Sequence, residues 1–215
     1  MIAVEDLRVV FGRTIALDGI DVELAPGVVG LFGPNASGKT TLLRVLAGLQ
    51  APARGRVRIN GMTPNVADED FRRLVGFAGH RSGLYERLTV QENLELFAKL
   101  HGASSERVTR TIDTLSLAPF AWAPVGSLSA GSKRRVAVAR AVLHEPQILL
   151  LDEPYANLDD DASALVSDAV KAWRAPDRIA VIATHGAKRV RAFADSGVVL
   201  QRGRLVRYTQ GFRQT

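Results

Sequence analysis

A chain of 215 residues, 47% hydrophobic and 23% charged, is long enough to bury a sizeable core as a single domain spanning 1–215. It has no cysteine, which excludes disulfides, thiol nucleophiles and thiolate metal sites, and no apolar run approaches the ~20 residues of a membrane-spanning helix. The net charge of +6 comes from scattered arginines; the densest group, Lys133-Arg134-Arg135, is short, so no nucleic-acid partner is expected.

The first residues, Met1-Ile2-Ala3-Val4-Glu5-Asp6, lack the basic start and apolar stretch of a signal peptide. Short strands are predicted over residues 3–10, 20–24, 28–32 and 56–60, punctuated by Gly12, Pro26-Gly27, Gly55 and Gly61. Val28-Val29-Gly30-Leu31-Phe32 is apolar throughout, the pattern of a parallel strand buried on both faces. A helix over 39–47 follows, with Gly48 placed as a left-handed C-terminal residue. The stretch 84–143 reads as an inserted helical subdomain. Thr89-Val90-Gln91-Glu92 is a capping box, Ser104 or Ser105 starts a second helix, and Ser129 caps a third. Alternation then returns: strand 148–152, helix 161–173, strand 178–184, helix 187–194, and a hairpin turning at Arg202-Gly203. Strands and helices that alternate around a helical insertion argue for an α/β core with a helical subdomain.

Gly33-Pro34-Asn35-Ala36-Ser37-Gly38-Lys39-Thr40, followed by Thr41, matches G-x-x-x-x-G-K-[ST] and lies between an apolar strand and a helix. Glycines let successive backbone N–H groups converge on phosphates, and the helix N-terminus adds partial positive charge. Lys39 is expected to reach the β- and γ-phosphates and the Thr40 hydroxyl to bind Mg²⁺. The bland alternative is a flexible surface loop, which does not require the strand–helix junction.

Ile148-Leu149-Leu150-Leu151 leads into Asp152-Glu153. At the end of a buried strand Asp152 suits a second Mg²⁺ contact and Glu153 suits orienting or deprotonating an attacking water. Taken alone, such an acidic pair is equally a helix or turn start. One of Asp159-Asp160-Asp161 is expected to cap the following helix.

Leu128-Ser129-Ala130-Gly131-Ser132 resembles the LSGGQ signature of the ABC-transporter ATPases, and the resemblance extends over nearly the whole chain. Phe11 stands where that family stacks an aromatic on adenine. Ala156-Asn157-Leu158-Asp159 is similar to its D-loop, and His185, after Ala183-Thr184, to its switch histidine. The resemblance implies an α/β fold in which a phosphate-loop core with a mostly parallel sheet carries an N-terminal antiparallel β-subdomain and an inserted helical subdomain. It also implies an ATP- and Mg²⁺-dependent ATPase working as a head-to-tail homodimer. Each ATP would lie between one subunit's phosphate loop and Ser129 and Gly131 of the other. It further implies a separate membrane-spanning permease, and a peripheral location on the cytoplasmic side of the membrane. Ser129 has a plainer role open to it as a helix cap.

The sequence departs from the family pattern in three places. Ala36 replaces a glycine of the phosphate loop, which a methyl group tolerates if φ stays negative. Ala130 and Ser132 replace the Gly and Gln of the signature. His80, ending Val75-Gly76-Phe77-Ala78-Gly79-His80, takes the place of the Q-loop glutamine, which in the family helps to arrange Mg²⁺ and water. His80 is therefore expected near the metal, with a charge that responds to pH near neutrality. The His80 replacement, the altered signature and the chain length resemble the haem-exporter ATPases of cytochrome c maturation; ABC-2-type drug or polysaccharide exporters have similar loops. The surface over 80–89, with Leu84 and Tyr85 as anchors, is expected to receive the permease. Non-transport ABC ATPases and ordinary phosphate-loop kinases or GTPases are the competing classes. The Asn-Lys-x-Asp motif that a GTPase would want is not in the sequence.

Overall fold

The computed structural model describes residues 1–80 and 82–211. Arg81, within the expected permease surface, and the last four residues of the expected 1–215 domain lie outside the described residues.

β1 (Ile2–Phe11), β2 (Thr14–Leu24) and β4 (Arg54–Ile59) form an antiparallel sheet in the order β2-β1-β4. β2 begins at Thr14, well before the predicted residue 20, because Gly12-Arg13 forms a tight turn that pairs Phe11 with Thr14. The larger sheet has the order β5-β6-β7-β3-β8-β9, built from β3 (Gly27–Phe32), β5 (Val75–Ala78), β6 (Ile148–Asp152), β7 (Ile179–Thr184), β8 (Ser196–Gln201) and β9 (Arg204–Gln210). Its pairings are parallel except at the closing β8–β9 hairpin.

Each central strand is buried on both faces, and its residues alternate between two cores. Val29 and Leu31 of β3, with Ile148 and Leu150 of β6, pack towards α1 (Lys39–Leu46) and the antiparallel sheet. Val28 and Phe32, with Leu149 and Leu151, face α5 (Ala130–Val142), α6 (Asp160–Trp173) and α7 (Ala187–Arg191). The continuous apolar runs in the sequence are the outcome of serving both cores at once.

Between β4 and β6 the chain forms α2 (Glu69–Leu74), β5, α3 (Val90–His101), α4 (Ser105–Thr114) and α5. Thr89 and Glu92 make the reciprocal capping box at α3, Ser104 caps α4 and Ser129 caps α5. α2 and β5 are additions to the sequence-based expectation. Their six and four residues are too short to show periodicity, although Asp68 caps α2 through Asp70 and Phe71 N–H groups. The helix predicted over 187–194 ends at Arg191. Among the described residues no helix is long and apolar enough to cross a membrane.

Candidate active site

The loop between β3 and α1 takes its shape from two glycines. Gly33 and Gly38 have φ of 148° and 104°, and a Cβ on Gly33 would lie 2.2 Å from the Leu200 carbonyl oxygen. Gly38 supplies no side-chain cap to α1, and the first turn of the helix carries no acidic residue. Its leading N–H groups and positive dipole end are thus left for an anion. Lys39, buried at 6% exposure, donates from Nζ to Gly33 O at 2.8 Å and Pro34 O at 3.0 Å, which holds the ammonium over the loop. Ala36 departs from expectation. Its φ is 61°, not negative, so its methyl group is accommodated in the left-handed region at a cost of roughly 1 kcal/mol.

The acidic half comes from the ends of β6 and β7. Thr40 Oγ1 donates to Asp152 Oδ2 at 2.9 Å, while Asp152 Oδ1 is buried without a hydrogen-bond partner. Burial pushes the Asp152 carboxyl above its ordinary pKa, and the Glu153 charge adds to this; the Thr40 hydroxyl, His80 and Arg134 oppose it. A buried carboxylate oxygen without a donor, next to a threonine hydroxyl, fits a divalent cation that would take the remainder of its shell from phosphates and water. No three His, Asp or Glu side chains converge as a metal set among the described residues.

Glu153 is held by three groups. Its Oε1 accepts the His185 backbone N–H at 2.9 Å and lies 3.0 Å from His185 Nδ1, and its Oε2 accepts from Thr184 Oγ1 at 3.1 Å. The arrangement favours a His185 tautomer with the proton on Nδ1. Thr184 carries no motif of its own. Its position as the last residue of β7, before His185, was the only sign of this role.

These residues line one cavity of about 640 Å³. Its lining includes Phe11, Asn35, Ala36, Ser37, Gly38, Lys39, Thr40 and Thr41 together with His80, Asp152, Glu153 and His185. Phe11 is 47% exposed at its edge, beside Ile15 and Ala16. Gly33 and Pro34 join through their carbonyls to Lys39. Ser129, Gly131 and Asp159 are not part of this cavity. Ser129 Oγ accepts the Ser132 N–H at 3.1 Å, and Asp159 Oδ1 accepts the Ala162 N–H at 2.8 Å, so both cap helices. They belong to a second cluster: a Cβ on Gly131 would lie 2.7 Å from the Asn157 carbonyl oxygen, so the signature-like turn packs on the D-loop-like turn.

Residues 17–156 match the family model described as ABC transporter. The chain is an ABC-transporter ATP-binding subunit. This ATPase is 40% identical over 185 residues to the cytochrome c biogenesis ATP-binding export protein CcmA of Ruegeria pomeroyi, covering 86% of the chain and 84% of the relative. It is 32% identical over 211 residues to the Nod factor export ATP-binding protein I of Cupriavidus metallidurans, covering 96% and 70%. A dimeric ATP-binding cassette in a post-hydrolysis state bound to ADP and Pi superposes with a TM-score of 0.89 at 27% identity, covering 100% of both chains. The fold and the ATPase class expected from the sequence are those found.

Proposed function

We propose that this ATP-binding subunit hydrolyses ATP within a head-to-tail homodimer to drive export through a separate membrane permease, as part of a haem-exporter-like system for cytochrome c maturation. The observation that carries the catalytic reading is the convergence of Lys39, Thr40, Asp152, Glu153 and His185 on one cavity. The identity of 40% with a cytochrome c biogenesis relative, against 32% with the Nod factor relative, supports the subgroup. The Nod factor relative keeps the second reading in view: an ABC-2-type exporter of drugs or polysaccharides.

In the proposed mechanism the loop N–H groups and Lys39 bind the β- and γ-phosphates, and Phe11 meets the adenine ring. Thr40 and Asp152, with His80 beside them, would hold Mg²⁺, whose charge would offset that of the phosphates. Glu153 Oε2 and Oε1 accept from Thr184 and His185, which aims the carboxylate to take a proton from the attacking water. His185 stabilises the γ-phosphate side of the reaction. Ser129, Gly131 and Asp159 act across the dimer on the partner's nucleotide, in keeping with their place outside the chain's own cavity.

The permease would sit against a second cavity of about 420 Å³ beside the His80 loop, lined by Phe71, Phe77, Phe97, Arg72, Arg140 and Gly83 among others. Of the two expected anchors, Tyr85 is 54% exposed, whereas Leu84 packs on the core. Association with that permease would place the subunit at the cytoplasmic face of the membrane.

The test is complementation of a strain lacking its cytochrome c biogenesis export ATPase. The wild-type chain, with its own permease, should restore haem-stained c-type cytochromes, and Glu153→Gln should not. ATP turnover without restoration would favour the second exporter reading; turnover retained in Glu153→Gln would move the base elsewhere.

A further inference from the structure

α5 begins at the signature-like turn and sends two arginines back to the segment that carries His80. Arg134, 9% exposed, donates from one terminal nitrogen to Gly79 O at 2.8 Å and, more weakly, to Asp152 O at 3.4 Å. Its other terminal nitrogen donates to His80 O at 3.4 Å. Arg140, farther along the helix, donates to Phe77 O at 2.8 Å and Gly83 O at 2.7 Å, with its guanidinium 4.9 Å from the Phe97 ring centroid. One helix thus grips the loop before, at and beyond His80.

Arg134 is a costly choice for that task. Removing a guanidinium from water costs several kcal/mol unless the site repays it, and its hydrogen bonds here end on neutral carbonyls. Two features offset the cost. The planar fork serves three carbonyls at once, two from one terminal nitrogen and one from the other, a rigid spread that a lysine ammonium on a flexible stem does not reproduce. The Asp152 and Glu153 carboxylates also act on the guanidinium through space. Its three acceptors lie on two elements: the loop with His80, and the strand end whose side chain meets Thr40.

We propose that Arg134 is a positioning residue that joins the signature helix, the His80 loop and the Asp152 strand end into one mechanical unit. Contact of a partner's nucleotide with Ser129 at the start of α5 then displaces His80 and Asp152 in the same subunit. This transmission rests on the dimer reading above; the clasp itself does not.

The test uses the full chain and MgATP. Arg134→Ala should leave nucleotide affinity within about 2-fold, because it removes no group facing the phosphates, while kcat falls on the order of 10- to 100-fold from misplacement of the catalytic groups. Amide exchange over residues 77–83 should rise about 10-fold, with β3 and β7 unchanged. Arg134→Lys keeps the charge without the fork and should give intermediate values; it also serves if the alanine variant fails to fold. Wild-type kcat and loop exchange in Arg134→Lys, or a kcat loss with unchanged loop exchange, would overturn the proposal. The dimer reading is scored separately by ATP-induced dimerisation of Glu153→Gln with Arg134 intact. No dimer there, together with a loosened loop in the Arg134 variants, removes the transmission step and leaves the clasp standing.

Discussion

The stacked histidines that line the cavity of about 420 Å³ make a sharp prediction about acid stability. His144, just after α5, lies 4.1 Å from the His101 ring at the end of α3, with the planes 18° apart. Neither His144 nitrogen makes a well-formed hydrogen bond. Burial, aided by His101 and Arg140 and opposed by the Val75 backbone, pulls its pKa down from 6.5 to about 3. The native state therefore refuses a proton that the unfolded chain accepts. Stability is intact above the unfolded value and declines as pH falls through it towards the folded value. Between about pH 7.5 and about pH 5 the difference in proton binding costs about 2 kcal/mol. His144→Phe keeps a ring against His101 and removes the titration. Urea unfolding at both pH values should show the wild type losing about 2 kcal/mol more than the variant, or about 4–8 °C in Tm for a chain of this size. Equal losses in the two proteins would refute the argument, because every other titrating group is common to both.

Lys39→Ala should weaken ATP binding by about 30- to 150-fold, the value of roughly 2 to 3 kcal/mol for charge-assisted contacts to phosphate; calorimetry showing near-normal affinity would contradict the role of the loop. Ala36→Gly relieves left-handed strain but adds unfolded-state freedom, for a net gain of about 0.5 kcal/mol and about 1–2 °C in Tm. A fall in Tm would show that the methyl group packs favourably. Asp152→Asn should abolish turnover yet raise stability near neutral pH, since the raised carboxyl pKa means that burial penalises the charged form. That gain should fade as pH falls through the carboxyl's folded pKa, and a variant less stable than wild type at neutral pH would count against the reading.

Much of this was legible in the sequence wherever the physics is local. The apolar runs at Val28 and Ile148, the glycines of the phosphate loop and the Thr89–Glu92 box each state their conformation within a few residues. The features the sequence did not disclose depend on elements far apart in the chain. His101 and His144 meet only because α3 and α5 pack side by side, and Arg134 reads as part of a basic triplet until folding carries it to Gly79. The sign of φ at Ala36 was missed for a related reason: the loop closes on surroundings that include Leu200 and Leu17, and those fix its path more strongly than alanine's own preference.

The same consideration explains how two consecutive carboxylates come to serve one cavity. In an extended strand Asp152 and Glu153 would point to opposite faces. Asp152 ends β6 in the strand register, but Glu153 has φ of 49°, a left-handed conformation unfavourable for a glutamate by roughly 1 kcal/mol or more. Its backbone N–H still finds the Ala183 carbonyl at 2.8 Å, and Thr184 and His185 donate to its carboxylate. Those bonds offset the strain and hold the side chain in the cavity that Asp152 also lines. An acidic pair after an apolar strand therefore becomes a site only because the chain breaks the alternation between its two members, and the partners that hold the break, Thr184 and His185, belong to the neighbouring strand end.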